Sequence, residues 1–288
     1  MQVGFIILSH KEPHQTIRLI RRLQNLYDNP PIVCHHDFGQ SPIAADKFPS
    51  DVKLVLPYIK TAWANYSVIT AFLAALKLLQ TPEPTPDWFV LLSGADYPTL
   101  SADKVVAELS SSGVDAFSTF EEIPLLSRAK VPPNLQLPWD YYIRFRAWIP
   151  ILRKGARVGR YTISPPIKQW ASPFDAEFKC FKGSHWFAGT RKVAAILMHP
   201  TLKHVHLQRH LKWRHLPEEC YYQSILGNYL GLKISQEKRR FANWRGGGAH
   251  PKILGMEDLP EILASKSHFA RKFDKDTAIL DELDRLVV

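Results

Sequence analysis

Cysteine is scarce in this sequence. The 288 residues include three cysteines, Cys34, Cys180 and Cys220, and no two of them form a C-x-x-C pair. An odd number of widely spaced cysteines argues against a disulfide framework and against a zinc ribbon. A reducing cytoplasm is therefore the expected setting.

Long apolar runs are also missing. A membrane-spanning helix needs roughly 18 consecutive apolar residues, and even the apolar stretch 69–79 contains Thr70 and Lys77. The short apolar run 1–9 has no basic segment before it and no small-residue cleavage site after it. This run predicts a buried strand and not a signal peptide, so we expect a soluble protein.

Several metal and phosphate motifs are absent or misplaced. The one D-x-D sequence is 274–276, in a charged segment near the C-terminus, and the glycines 246–248 lack the spacing of a P-loop or a dinucleotide fingerprint. His204, His206 and His210 could be imagined as zinc ligands, but no glutamate accompanies them and basic residues surround them. We therefore expect no metal site.

Positive charge is in excess. Thirty-seven Lys and Arg residues against 27 Asp and Glu give a formal charge of +10 and a pI near 9.5. This balance favours an anionic partner: nucleic acid, an anionic membrane surface or a phosphorylated substrate. The basic run 238–241 and the aromatic and basic stretch 141–148 make nucleic-acid binding the alternative from another class. No recognised binding motif accompanies them, so nucleic acid is not expected.

Strand-like and helix-like segments alternate along the chain, which predicts an α/β fold with a mixed, mostly parallel sheet flanked by helices. Residues 120–169 break the periodicity and are interpreted as a long surface excursion. Ser101 and Thr190 are expected to cap helices. The expected strands are 3–9, 31–35, 52–56, 88–93 and 184–189, and the expected helices are 13–26, 67–79, 101–110, 190–199 and 217–228.

Seven segments, in this order, resemble the core-2/I-branching β-1,6-N-acetylglucosaminyltransferase family, which also contains peptide O-xylosyltransferases and plant glucuronosyltransferases. Each segment alone is weak, but the series spans nearly the whole chain. The segments are 5–10 (FIILSH), 34–37 (CHHD), Trp63 with Tyr66-Ser67, 87–98 (DW to LLSGADYP), 183–187 (GSHWF), 217–219 (PEE), and 250–252 (HPK) with 269–274 (FARKFD).

The resemblance implies a nucleotide-sugar-binding fold of the GT-A type in a single catalytic domain over residues 1–288. Residues 1–119 would form the donor-binding half, and residues 120–288 the acceptor and catalytic half. It further implies a UDP-sugar donor, inversion at the anomeric carbon, and no metal or other cofactor.

The same resemblance assigns roles to individual residues. Glu219 falls on the catalytic base, and a helix N-terminus there would favour its charged form. Lys252 and Lys272 fall on the two basic ligands of the diphosphate, the first of which is Arg in core-2 enzymes. The remaining donor-contacting positions are Ile7, Asp37, Trp63 and Ser93. Asp37 could equally close a turn after its strand, and Trp63 could belong to the core.

Acceptor binding is expected from residues in loosely aligned segments. Glu121, Arg144 and Trp244 lie on the family's acceptor side, and Asp96 is a further candidate, with a structural role in its turn as the alternative. The expected acceptor is a glycan or a glycolipid.

N-acetylglucosamine is the first-ranked donor sugar, with xylose and glucuronic acid as alternatives from the same family. A carbohydrate-binding remnant without catalysis is disfavoured because Glu219, Lys252 and Lys272 are all present. Family members in animal cells carry a membrane anchor and luminal disulfides, of which this sequence shows no sign. Together with the excess positive charge, this leads to the hypothesis of a bacterial-type cytoplasmic enzyme that contacts the anionic inner face of a membrane.

Overall fold

The computed structural model describes residues 1–81, 84–144, 156–158, 161–163, 172–245, 247–248, 250–274 and 277–288. The strands in this part of the chain are β1 Val3–Ser9, β2 Ile32–His36, β3 Lys53–Leu54, β4 Trp88–Ser93, β5 Asp96–Pro98, β6 Ala116–Phe117, β7 Phe120–Ile123, β8 Ala156–Val158, β9 Tyr161–Ile163, β10 Cys180–Gly183, β11 Ala188–Thr190, β12 Ile234–Ser235, β13 Arg240–Ala242 and β14 Phe269–Arg271. The α-helices are α1 Pro13–Leu26, α2 Ser67–Leu79, α3 Ala102–Ser111, α4 Pro133–Tyr142, α5 Arg191–Met198, α6 Leu202–Leu211, α7 Tyr221–Gly227, α8 Leu259–Ala264 and α9 Thr277–Leu286.

A seven-stranded sheet, in the order β12-β6-β11-β4-β1-β2-β3, forms the centre of the fold. Neighbouring strands pair in parallel except β11, which is antiparallel to both β4 and β6. Every residue of β1, β2 and β4 is buried, as the near-continuous apolar runs of parallel strands require. The predicted α/β class with a mostly parallel sheet flanked by helices is confirmed.

Helices cover both faces of this sheet. Successive side chains of a strand point to opposite faces, and in β1 Phe5 and Ile7 join one hydrophobic cluster with α1 and α9, whereas Ile6 and Leu8 join another with α2. We call the first the α1 face and the second the α2 face. The residues that follow Glu219 belong to the α2 face. In the part of the chain that the structure describes, no helix has the length and apolar composition to cross a membrane.

A small three-stranded sheet, β13-β14-β5, is tied to the main sheet by a buried ion-pair cluster. The carboxylate of Asp96 is fully enclosed, with Arg271 Nε 3.3 Å and Arg240 Nε 3.6 Å from its oxygens. Asp96 also accepts a hydrogen bond from the backbone N–H of Ser93, and Arg240 donates to the carbonyl of Leu91 in β4. The cluster therefore holds three short strands against the end of β4.

The element boundaries show where the sequence predictions were right. β1, β4, α1 and α2 begin and end at the predicted residues. The strand expected over 184–189 is wrong, because β10 ends at Gly183 and β11 begins only at Ala188. Ser101 and Thr190 occupy the N-cap positions of α3 and α5 as predicted, but their side chains make no capping hydrogen bond.

The segment expected to be an irregular excursion, 120–169, contains regular structure. Strand β7 pairs with β10, helix α4 follows, and β8 pairs with β9. Residues 145–155, 159–160 and 164–169 of this segment lie outside the described residues.

Replacement of Asp96 tests the importance of the ion-pair cluster. We expect D96N to lower the free energy of unfolding by about 3–5 kcal/mol, because it leaves two buried guanidinium groups without a carboxylate. Urea unfolding measures this change, and D103N, at an exposed position in the first turn of α3, is the matched control. Equal stability of the two variants would contradict the role given to the cluster.

Candidate functional site

The carboxyl ends of β1, β2 and β4 meet at one edge of the main sheet. The backbone N–H of Asp37 donates to the carbonyl of Ser9 at 2.9 Å, and that of Gly94 donates to the carbonyl of Leu8 at 2.9 Å. The segment after β14 reaches the same edge, because Phe273 N–H donates to the Ala95 carbonyl at 2.9 Å. Such an edge is where open α/β sheets bind ligands.

Asp37 holds the loop that follows β3. Its Oδ2 accepts hydrogen bonds from the backbone N–H (2.6 Å) and hydroxyl (2.9 Å) of Thr61 and from the Gln40 amide (2.7 Å). Its Oδ1 accepts from the N–H of Gly39 and Gln40. Burial opposes ionisation, but these five donors outweigh it and lower the pKa of Asp37 to about 2. The carboxylate thus closes a turn and positions the loop, and its contact with a donor stays a prediction.

Trp63 lies on that loop and is 60% exposed. Its ring packs edge-on against His215, at 5.4 Å between ring centroids, and against His250, at 5.8 Å. The alternative that Trp63 belongs to the core is wrong, because a core tryptophan would be enclosed. An exposed indole held by two imidazoles offers a face on which a planar base can stack.

Unpaired cations surround the exposed imidazoles of this edge. Burial lowers the pKa of His10, and the positive charges of Lys11 and Lys272 lower it further. Burial, followed by the charges of Lys272 and Lys11, likewise lowers the pKa of His250. Within the described residues neither lysine has a carboxylate partner. Lys11 and Lys272 both lower the pKa of His10 and of His250, so their positive charges lie close to the same two imidazoles. An anion bound between these groups would be stabilised.

Lys252, the other expected diphosphate ligand, is placed differently. Its ammonium donates to Glu257 Oε1 at 2.7 Å and to Asp258 Oδ2 at 2.9 Å. Two carboxylates therefore already neutralise the charge that was expected to face a diphosphate. The role of Lys252 as a diphosphate ligand stays a prediction, and a donor would compete there with these two carboxylates. Within the described residues, Lys272 has no such competitor.

Glu219 lies in a short 3-10 helix, Pro217–Glu219, which Cys220 separates from α7. The predicted continuous helix 217–228 is wrong, and with it the argument that a helix N-terminus favours the charged form of Glu219. The side chain is half-buried. Burial raises its pKa, and the charge of Lys182 opposes this rise. A carboxylate with a raised pKa is a stronger base.

Contacts around Leu216 join this 3-10 helix to the loop of Trp63. Leu216 adopts a left-handed backbone conformation (φ 51°), and its N–H donates to the Ala64 carbonyl at 3.3 Å. The hydroxyl of Tyr142, at the end of α4, donates to the Leu216 carbonyl at 2.8 Å. Glu219 and Trp63 are therefore held on adjoining segments.

Glu218 has a different environment from its neighbour. Its side chain is buried, and its Oε2 has no hydrogen-bond partner in the described structure. Burial, with a smaller effect of the Glu219 charge, raises the pKa of Glu218 to about 8. Glu218 thus keeps its proton at neutral pH, and Glu219 is the more accessible of the two carboxyl groups.

The expected acceptor residues separate into two groups. Glu121 faces Lys182 across the β7–β10 pair, with Oε2 3.9 Å from Nζ. Burial raises the pKa of Glu219, and the charge of the same Lys182 opposes that rise. The Arg214 guanidinium donates a hydrogen bond to the backbone carbonyl of Arg144. Arg214 lies two residues before Leu216 in the sequence. These contacts bring Glu121 and Arg144 to the side of Glu219.

The exposed Trp244 belongs to the second group. It follows Asn243, whose carbonyl accepts the backbone N–H of Lys252 at 2.8 Å. Trp244 therefore lies on the side of Lys252, and the described contacts do not join it to Glu219.

Two expected contacts do not fit the structure. Ile7 is fully buried in the α1-face cluster and paired on both sides in the sheet, two residues before the end of β1. Asp96 is enclosed by its arginines and exposes no surface to an acceptor, so its structural alternative applies. Ser93 does reach the edge, where its hydroxyl accepts the Ala95 N–H at 3.3 Å.

Sequence reasoning overlooked Lys11 and Lys182. Both lie beside recognised segments, Lys11 directly after His10 and Lys182 directly before Gly183. That a residue is a lysine does not by itself predict a functional role, because most lysines are solvated surface charges. Adjacency to a motif at a strand end was the available clue.

Of the three histidines considered as zinc ligands, His204 is buried, His210 is half-buried and His206 is exposed. His204 accepts the Thr201 N–H, and His210 Nε2 donates to the Tyr142 carbonyl at 2.7 Å. Among the described residues, no cluster of three or more His, Cys, Asp or Glu side chains could hold a metal ion. All three cysteines are free and buried, and burial raises the pKa of Cys34 to about 12.

The arrangement combines the aromatic face of Trp63, two lysines that have no carboxylate partner within the described residues, and the accessible carboxyl group of Glu219 along one connected edge. It could hold a phosphorylated planar ligand and remove a proton from a second molecule.

A family model described as "Branch: Core-2/I-Branching enzyme" matches residues 35–265. Among curated proteins, the chain is 24% identical over 207 residues to the beta-glucuronosyltransferase GlcAT14B of Arabidopsis thaliana, covering 69% of this chain and 43% of the relative. It is also 24% identical over 204 residues to GlcAT14A of the same plant, covering 69% of this chain and 42% of the relative. The chain thus spans less than half the length of these relatives.

Among solved structures, 4-diphosphocytidyl-2C-methyl-D-erythritol synthase from Anaerococcus prevotii matches with a TM-score of 0.37 and 10% identity. The match covers 92% of this chain and 95% of that one. A likeness of this degree carries no argument about function.

Glu218 makes the stability of the protein depend on pH. Its pKa is raised on folding, so its contribution is fully present below the ordinary value of 4.5 and is lost as pH rises towards 8. We expect E218Q to gain stability relative to wild type between pH 5 and pH 8, by up to about 4 kcal/mol.

Urea unfolding at both pH values measures this gain. E177Q, at an exposed surface pair, should show no comparable change. A constant difference between E218Q and wild type across the range would contradict a protonated Glu218.

Proposed function

Because the chain belongs to the core-2/I-branching enzyme family, we propose that this glycosyltransferase moves a sugar from a UDP-sugar to a hydroxyl of a glycan or glycolipid, with inversion. The observation that carries the proposal is the connected edge described above. The turn of Glu219 contacts the loop of Trp63, and the Trp63 ring contacts His250. Burial and then the positive charge of Lys272 lower the pKa of His250. A base, a stacking face and a cation thus follow one another along the cleft.

Each group has a step in an inverting displacement. Glu219 accepts the proton of the acceptor hydroxyl while that oxygen bonds to the anomeric carbon. The bond from that carbon to the diphosphate oxygen breaks, and UDP leaves with the bonding electrons. Lys272 and Lys11 stabilise the negative charge that grows on the diphosphate. Trp63 stacks on the uracil and fixes the donor in line.

The names of the relatives bear on the identity of the donor sugar. From the sequence, N-acetylglucosamine was the first-ranked donor sugar, and this stays a prediction. The two matched relatives carry the name beta-glucuronosyltransferase, which favours UDP-glucuronate as a second candidate. Lys182, between Glu121 and Glu219, could accommodate the carboxylate of such a sugar. UDP-xylose is the third member of the panel to test.

Metal independence also stays a prediction, and side-chain cations are its physical basis. A divalent ion would neutralise the diphosphate in a metal-dependent transferase, whereas in the mechanism proposed here Lys272 and Lys11 take that role. We further propose that the excess of positive charge brings the protein to an anionic membrane surface that carries the acceptor. The expected cytoplasmic location and the absence of nucleic-acid binding remain predictions.

A UDP-release assay in EDTA tests the reaction and its base together. We expect release from one of the three UDP-sugars, with or without an acceptor, and a loss of about 10²-fold or more in E219Q, because general-base catalysis contributes that much. E122Q, at an exposed carboxylate of β7 that forms an ion pair with Lys179, is the control and should keep its activity.

No release from any UDP-sugar, together with no UDP binding by calorimetry, would reject the transferase and favour the nucleic-acid alternative. Release that requires added divalent metal would reject only metal independence.

The two family lysines should differ in importance. We expect K272Q to lower kcat/KM by about 10²-fold, since it removes a cation at the leaving group. K252Q should cost less than about fivefold, because Glu257 and Asp258 already neutralise that charge. Steady-state kinetics with the active donor compare them. Equal large losses would mean that Lys252 leaves its carboxylates when the donor binds.

A further inference from the structure

A cavity of about 630 Å³ lies on the α1 face, between α1, α9 and the loop after β2. The helix α7, which follows Glu219, packs on the α2 face instead. None of the expected donor-binding residues lines this cavity, so it is separate from the proposed donor site. It nevertheless lies near the same edge of the sheet, because α1 starts just after β1 ends and Tyr97 in its wall comes just after β4. A ligand bound in it would lie beside the proposed cleft.

The floor of the cavity is a fixed pair of arginines. Arg18 Nη2 donates to Asp281 and Asp284, both at 2.6 Å, and its Nε donates to the hydroxyl of Tyr97 at 3.2 Å. Arg22 Nε lies 3.0 Å from the same Asp284. Two carboxylates thus balance two guanidinium groups and fix their orientation, so that no ordering is needed when a ligand arrives.

Two further cations at the rim have no such balance. Arg21 and Lys47 are exposed and line the cavity from two different elements, the helix and the loop. Neither has a carboxylate partner in the described chain. The rim therefore carries two uncompensated positive charges directed at one space.

Apolar side chains complete the wall. Ile17, Ile43 and Ala44 line the cavity next to the cations. Several converging cations match the oxygens of a phosphate group, and the apolar wall suits a ligand with hydrocarbon next to that phosphate. A volume of this size holds a headgroup and the start of its acyl chains.

We propose that this cavity binds the phosphate headgroup of an anionic membrane lipid. The inference rests on the membrane contact proposed above, to which it gives a location, and it does not depend on the transferase reaction. Arg21 and Lys47 attract the phosphate, and the apolar wall contacts the glycerol and acyl carbons.

Vesicle sedimentation at low salt tests the cavity. The probe is the full chain with phosphatidylcholine vesicles that contain phosphatidylglycerol. We expect R21E/K47E to bind at least about tenfold more weakly than wild type, from the value of about 1 kcal/mol per basic residue at an anionic surface. The control K77E/R209E changes the net charge equally at two exposed positions on the α2 face, and it should lose less than about threefold.

Each of the other possible results would reject a specific part of the lipid-binding proposal. Equal losses in both variants would mean diffuse attraction by the net charge and no lipid site in the cavity. Calorimetric binding of inorganic phosphate without vesicle binding would assign the cavity to a soluble phosphate and reject the lipid. No vesicle binding by wild type would reject the membrane contact as well, whereas the UDP-release assay decides the transferase separately. Unchanged thermal unfolding of R21E/K47E excludes misfolding as the cause.

Discussion

The buried contact of Asp96 with Arg240 and Arg271 fixes the edge of the sheet on which the site is built. Three ionised groups in the interior are stable only when they compensate one another, and here each comes from a different short strand. Trp186 covers the cluster, with its ring 4.4 Å from the Arg271 guanidinium carbon. Burial lowers the pKa of Arg240 to about 10, against the raising effect of Asp96. Lys272 follows Arg271 directly, so the same cluster fixes the backbone from which the Lys272 side chain extends.

Burial and charge divide the roles of side chains that look alike in the sequence. Glu218 and Glu219 are neighbours, yet one carboxyl is enclosed and protonated and the other is reachable and close to Lys182. Lys252 and Lys272 were expected to act as a pair, yet carboxylates hold only the first. In both pairs, burial and ion pairing, and not the residue type, decide which side chain is accessible and which charge is already compensated.

The two faces of the sheet have different tasks. The α2 face holds the turn of Glu219 and the segments that bring Glu121 and Arg144 near it, and the α1 face holds the cationic cavity around Arg18. The lining of the cavity includes His14 near the start of α1 and Tyr97 in β5, which follows β4. In the functions proposed above, the groups on the α2 face serve the transfer reaction, and the cavity on the α1 face serves the membrane contact.

The sequence by itself determined the parallel centre of the fold, since the apolar runs of β1 and β4 and the periodicity of α1 and α2 are local signals. It also predicted roles for Glu219, Trp63 and Lys272 from ordered motifs, and these roles stay predictions. Only the tertiary structure decided that the helix after Pro217 is broken at Cys220, that Asp96 and Ile7 are enclosed, and that Lys252 is neutralised. Lys11, Lys182 and the α1-face cavity likewise became visible only in three dimensions. Burial, ion pairing and pKa depend on contacts between residues far apart in the chain, which no local pattern contains.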